Sequence, residues 1–181
     1  MKTTTLAMMF VLVAGPLRAE PAPNAWVSLL GGWDWQGDPD REARGGPVFG
    51  LSTGGWCTPR WGGDLSVLGT RLRSQAPGSS TPELHAQVSV LYNLLPDSDW
   101  TPYVRAGLGG TRLGAPFSFA DGATLRFSYQ GGFGVQATRA EHLLIGLEVR
   151  EVRVETQVGY DEVLGLFTLG YQWGVAARGG P

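Results

Sequence analysis

The chain has 181 residues, 14 Lys+Arg against 16 Asp+Glu, a charged fraction of 17%, 28 glycines and one cysteine. That is the length of one domain. Its formal charge of −2 leaves no basic face for nucleic acid, its single Cys57 allows no internal disulfide, and no segment after the N-terminus is apolar for long enough to form a spanning helix.

Residues 1–19 read as a signal peptide. Lys2 supplies a positive start, Leu6–Ala14 is an apolar stretch, Gly15-Pro16 breaks it, and Leu17-Arg18-Ala19 offers a cleavage site. Cleavage there would remove Lys2, the only lysine, and Arg18, leaving 12 arginines against the 16 acids. Residues 20–24 are a short N-terminal segment. Alternating runs occupy residues 25–175, and residues 176–181 form a short C-terminal tail.

Eight runs follow in order. Ala25–Trp35 puts Val27, Leu29, Gly31, Trp33 and Trp35 on one face, and the charged segment Gln36–Gly46 reads as a loop. Pro47–Trp56 is followed by the turn Cys57–Arg60. Trp61–Arg73 leads into a Ser/Gly/Pro-rich loop at Ser74–Pro82. Glu83–Leu94 alternates Leu84, Ala86, Val88, Val90 and Tyr92 with His85, Gln87, Ser89, Leu91 and Asn93. After the turn Leu95–Thr101, Pro102–Leu113 opposes Val104, Ala106 and Leu108 to Tyr103, Arg105, Gly107 and Gly109. Gly114–Ala123 is a longer loop.

The sixth run, Arg126–Thr138, is the most regular. Leu125, Phe127, Tyr129, Phe133 and Val135 share one face, and Arg126, Ser128, Gln130, Gln136 and Thr138 the other. Successive strand side chains point to opposite faces, so one face is apolar and one polar. After the turn Arg139–His142, the seventh run starts at Leu143 and weakens beyond Val149, where charges alternate with valines. Thr156–Asp161 turns the chain, and Glu162–Val175 closes it, with Val163, Phe167, Leu169, Tyr171 and Trp173 on one face.

These runs are longer than the ordinary globular strand of about 5–6 residues, and long enough to cross an apolar band of about 25 Å when tilted. Eight strands, an even number, bring both termini to the same end, and longer connections alternate with shorter ones. The fold expected is all-β: an eight-stranded antiparallel up-and-down transmembrane β-barrel. Trp26, Trp56, Trp61, Trp100 and Trp173 are assigned to one membrane interface, and Trp33 and Trp35 to the other. Alternation leaves open a soluble lipocalin-like barrel with its apolar face inside. The sparse charge and the length of the runs favour apolar side chains outside, against lipid.

With lipid outside, the polar face lines the lumen. Asp64, Gln87, Arg105, Arg126, Gln130, Gln136, Glu148 and Arg150 are expected there as a paired network plugging the barrel. His85 and Ser89 share the polar face, but about 13 Å of strand rise separates them, too far for a nucleophile–base pair. His142 reads as a solvated turn residue. The spacing of His, Cys and Asp gives no metal site, and no catalytic set or cofactor is expected.

Pro102-Tyr103-Val104-Arg105-Ala106-Gly107-Leu108-Gly109, Tyr129-Gln130-Gly131-Gly132-Phe133-Gly134-Val135 and Gly170-Tyr171-Gln172-Trp173 make residues 25–175 resemble the OmpA-like family of small outer-membrane barrels. Thr168–Val175 also resembles the signal read by barrel-assembly machinery, with Val175 where an aromatic is usual. The resemblance implies a bacterial outer-membrane location with periplasmic mature termini. It also implies contact with outer-membrane lipid, passage through the assembly machinery, and an envelope or surface partner that it does not identify. A non-enzymatic structural or interaction role through outside loops leads; a narrow porin-like channel and a lipid-modifying enzyme are the alternatives, because fold does not give function.

Overall fold

The computed structural model describes residues 24–36, 43–74, 80–114, 124–139, 142–155 and 160–174. They form nine strands: β1 Asn24–Gln36, β2 Ala43–Arg44, β3 Pro47–Trp56, β4 Trp61–Ser74, β5 Ser80–Asn93, β6 Trp100–Leu113, β7 Thr124–Arg139, β8 Leu143–Val154 and β9 Tyr160–Trp173. β2 is a two-residue ladder on Arg73 and Ser74 of β4. The other eight pair antiparallel with their chain neighbours, and β1 pairs with β9, so the sheet closes on itself.

The registry fixes the barrel's shape. Stepping across the pairs from Ala25 passes Gly55, Gly63, Val90, Ala106, Gly131, Glu151 and Val163, and returns to β1 at Trp35. Closure is therefore displaced by ten residues, from position 25 to position 35. For eight strands that stagger corresponds to a tilt of roughly 40° and a barrel narrow enough for side chains to fill.

Alternation then sorts the side chains. Val27, Leu29, Phe49, Leu51, Val88, Val90, Phe127, Phe133, Leu147, Phe167 and Leu169 face outward and are exposed. Such a continuous apolar girdle is incompatible with water and suited to hydrocarbon. Trp61, Trp100 and Trp173 edge it near the terminal rim, where β1 starts and β9 ends, and Trp33 and Trp35 edge it toward the opposite rim. Trp173 pairs with Ala25, and Trp35 lies ten residues farther along β1. At this rise and tilt the two belts are about 25 Å apart.

Two tryptophans do not belong to these belts. Trp26 is 3% exposed and Trp56 8%. Both point inward and pack with Leu91, Tyr103 and Leu144 as an apolar floor near the terminal rim, their rings 6.0 Å apart. Their parity explains it: Trp26 shares a face with buried Ser28 and Leu30, and Trp56 with buried Val48 and Ser52. A Cβ on Gly54 would come within 2.6 Å of the Trp26 ring, so this glycine makes room for it.

Toward the opposite rim the alternation continues while the chemistry of its two faces inverts. Val152 and Val154 turn inward and join Leu30, Val48, Leu68, Tyr160, Leu164 and Leu166 in a second apolar cluster. Glu151 and Arg153 turn outward, and Arg153 pairs with Asp161 at 3.3 Å in an exposed ion pair. The strands have risen past the apolar band there, so charge faces water and the valines pack inside. The same protrusion extends β5 back to Ser80 and β9 back to Tyr160, into segments whose polar sequence reads as loop. The signal peptide, the tail and most of the Gln36–Gly46 and Gly114–Ala123 loops lie outside the described residues.

The girdle makes a depth-dependent prediction. Leu29→Arg, near mid-height, should destabilise the folded protein in lipid vesicles by about 2–4 kcal/mol in urea titrations, whereas Leu143→Arg at the terminal rim should cost about 0–1 kcal/mol. Equal costs at the two positions would count against the assigned depth.

Candidate functional site

Between the apolar floor and the upper apolar cluster the interior is polar. Strand parity delivers one or two polar side chains from each wall, and on this side of a filled barrel each must find partners. Asp64 comes from β4, Gln87 and Ser89 from β5, Arg105 from β6, Gln130 from β7, and Glu148 and Arg150 from β8. All are buried, Arg150 completely.

Arg105 is the hub. Its Nη1 donates to both oxygens of Glu148, at 2.7 and 2.8 Å, and its Nη2 donates to Asp64 Oδ1 at 2.6 Å and Ser89 Oγ at 2.8 Å. Arg150 donates from Nε to Glu148 Oε1 at 2.8 Å and from Nη1 to Ser66 Oγ at 3.1 Å. Tyr103 donates its hydroxyl to Glu148 Oε2 at 2.8 Å, Ser52 donates to Asp64 Oδ2 at 3.0 Å, and Gln130 Nε2 donates to Ser89 Oγ at 2.6 Å. Two guanidiniums thus face two carboxylates from three walls, β4, β6 and β8, so the formal charge of the network cancels. Charge-assisted bonds of this length are what a buried ion needs to offset its lost hydration. Gly107 leaves the space: a Cβ there would meet Ser89 Oγ at 2.6 Å and Gln130 Nε2 at 2.8 Å.

Two residues expected in the network sit elsewhere. Arg126 has the inward parity but is exposed, because it lies beyond the buried Ser128 toward the loop end of β7. Gln136 is buried nearer the terminal rim, opposite Gly146. Gln87 reaches Ser128 Oγ at 3.4 Å. Tyr103, Ser52 and Ser66 belong to the network without having been singled out in the sequence; their parity with Arg105 and Asp64 is the signal that identifies them.

His85 and Ser89 take separate partners. Ser89 serves Arg105 and Gln130, and His85 Nδ1 lies 2.9 Å from Thr111 Oγ1. His142 is not simply solvated: its Nδ1 lies 2.9 Å from the Gln172 carbonyl oxygen and its ring stacks on Tyr171. It ties the β7–β8 turn to the closing strand β9.

Glu148 should be the costliest residue to remove. Glu148→Ala leaves Arg105 and Arg150 buried without their shared acid, a loss of about 3–5 kcal/mol. Urea unfolding of the refolded protein in vesicles measures it, and a loss below about 1 kcal/mol would show that the network is hydrated and dispensable.

A family model for the outer membrane protein beta-barrel domain matches residues 4–175. No curated protein sequence matches the chain. Among solved structures, the N-terminal β-barrel domain of Pseudomonas aeruginosa OprF is similar at 15% identity and a TM-score of 0.56, covering 83% of this chain and 97% of that one. Neisserial surface protein A is similar at 12% identity and a TM-score of 0.60, covering 83% and 95%. Ail, the attachment invasion locus protein of Yersinia pestis, is similar at 13% identity and a TM-score of 0.52, covering 83% and 99%. At these identities the solved structures speak for the fold, and the match across nearly the whole chain speaks for the family. With its closed sheet, its lipid-ready girdle and its filled interior, the chain belongs to the outer-membrane β-barrel proteins.

Proposed function

We propose that this protein is a non-enzymatic, non-conducting outer-membrane barrel that acts as a structural or interaction element through the loops at the rim opposite its termini. The observation that carries this reading is the Arg105–Glu148–Arg150–Asp64 network, whose members are at most 7% exposed and bridge the barrel from wall to wall. An ion crossing the lumen would have to break several charge-assisted bonds at once. The same network argues against lipid-modifying chemistry, because Ser89 is committed to Arg105 and His85 to Thr111, inside the barrel and away from acyl chains.

On this reading both termini lie on the periplasmic side, since the first and last barrel strands, β1 and β9, begin and end at one rim. The Gln36–Gly46 and Gly114–Ala123 loops then face the outside, where a surface or envelope partner would meet them. Insertion would use the barrel-assembly machinery, reading the segment that starts at Thr168. Two of the structural neighbours are named as a surface protein and an attachment invasion locus protein, roles that a plugged membrane anchor also suits.

Planar bilayers test the closed lumen. Folded protein, recognised by heat-modifiable migration on gels, should give no unitary current steps, and Arg105→Ala should introduce them. Steady conductance by the unaltered protein would establish the channel alternative instead. Protease or label access from outside intact cells should reach an epitope inserted in residues 37–42 and miss one appended after residue 181; the reverse pattern would overturn the orientation.

A further inference from the structure

The terminal rim is not uniform around the barrel. Among the described residues it holds two arginines, Arg60 and Arg139, and both belong to the sector from β4 to β7. Arg60 directly precedes β4, Arg139 is the last residue of β7, and both are exposed. The sector formed by β8 and β9 presents Leu143, Tyr171 and Trp173 there instead.

We propose that this sector binds two anionic phospholipids of the phosphatidylglycerol class, one phosphodiester on each guanidinium, with the acyl chains lying on the apolar girdle. Both guanidiniums stand on the lipid side of the wall. Tyr92, whose hydroxyl accepts from Arg60 Nη1 at 3.1 Å, shares its outward face with exposed Val88 and Val90. Arg139 has the parity of exposed Phe133 and lies 5.0 Å from the ring centroid of exposed Trp100. Arginines on the outer wall at the edge of a girdle meet lipid headgroups, not the mouth of the lumen.

Each arginine is held in place. The backbone amides of Arg60 and Trp61 donate to Thr58 Oγ1 at 3.3 and 2.9 Å. Asn93 donates from its amide to the Arg60 carbonyl at 2.7 Å and from Nδ2 to the Pro59 carbonyl at 3.0 Å, which pins the β3–β4 turn to β5. Tyr92 meets Trp61 edge-on, with ring centroids 4.8 Å apart. Arg60 therefore spends one donor on a fixed phenol and keeps the rest of its fork for a phosphate. Arg139 touches Trp100 through the face of the ring, a contact that leaves its N–H donors open to an anion.

The β5–β6 turn, which lies between the two arginines, supplies an independent sign. Its first residues, Leu94 and Leu95, are 48% and 56% exposed. Paired leucines laid bare in a turn belong in the acyl boundary, so on this sector the membrane surface reaches past the strand ends. Two acids share the turn. Asp99 is already engaged, and Asp97 lies in the bend closed by Ser98 N–H to the Leu95 carbonyl, farther from the strands than either arginine. Three strand spacings, roughly 14 Å along the wall, separate β4 from β7, which is room for two headgroups side by side. The choice of a glycerophospholipid rests on the periplasmic placement of this rim proposed above.

The test mixes full-length protein, refolded in detergent and freed of lipid, with phosphatidylglycerol or with phosphatidylcholine of identical acyl chains, and counts bound lipid by native mass spectrometry. Two phosphatidylglycerols are expected to survive activation that strips phosphatidylcholine. Arg60→Gln and Arg139→Gln should each remove one of the two, through a loss of affinity of about 10-fold at the altered site. Tyr92→Phe, which keeps the charge and deletes its prop, should weaken the Arg60 site about 3-fold. Arg153→Gln, at the opposite rim, should leave the count at two. Glycerol phosphate, the headgroup without its chains, should displace neither lipid. Heat-modifiable migration verifies the fold of each variant, and the lipid preference of the unaltered protein decides the matter if a variant fails to fold. Equal retention of the two lipids, an unchanged count in folded Arg60→Gln and Arg139→Gln, or displacement by glycerol phosphate would overturn the proposal. The orientation is read separately by epitope access, because a reversed barrel would change the leaflet met in the cell and not these affinities.

Discussion

The hydrocarbon of a membrane offers no hydrogen-bond partner, and the rest of the structure follows from that. Every backbone N–H and C=O at membrane depth must be paired within the protein, so the sheet has no free edge. The pairing of β1 with β9 meets the demand. Once eight strands close with a ten-residue stagger, the interior is too narrow to hold bulk water and must be filled by side chains. Strand alternation then assigns each residue to lipid or lumen with no intermediate choice.

Filling a narrow lumen is an electrostatic problem as well as a steric one. Apolar residues form a floor near the terminal rim, with Trp26, Trp56 and Leu144, and a second cluster toward the other, with Leu68, Val152 and Leu164. Two polar groups of different character lie above the floor, one below the second cluster and one level with it or beyond. The lower one balances Arg105 and Arg150 against Asp64 and Glu148. The upper one gathers Asp34, Glu83 and Glu162 around a single histidine. A matched set of charges locks the barrel.

The fold was legible because the period of two is read directly from residues such as Phe127, Tyr129 and Phe133 against Ser128 and Gln130. Arg105, Glu148, Arg150, Asp64, Gln87 and Gln130 were legible for the same reason. Trp26 and Trp56 were misplaced because position near a strand end outweighed parity, although their own runs already put them opposite Val27 and Leu51. Arg126 was misplaced for the converse reason: parity was right, but height along the barrel carried it past the packed layers. Glu83, His85 and Glu162 stayed hidden because β5 and β9 are distant in sequence, and only registry around the closed sheet sets them side by side.

The account stands on which way the greasy residues point. The most direct measurement places single nitroxide labels along β7, at positions 127 to 135, in a Cys57→Ser background reconstituted in lipid vesicles. Relaxation by oxygen, which concentrates in the acyl region, should rise at 127, 129, 131, 133 and 135 and fall at the positions between. Oxygen access that peaked instead at 128, 130, 132 and 134, or that showed no period of two, would contradict it.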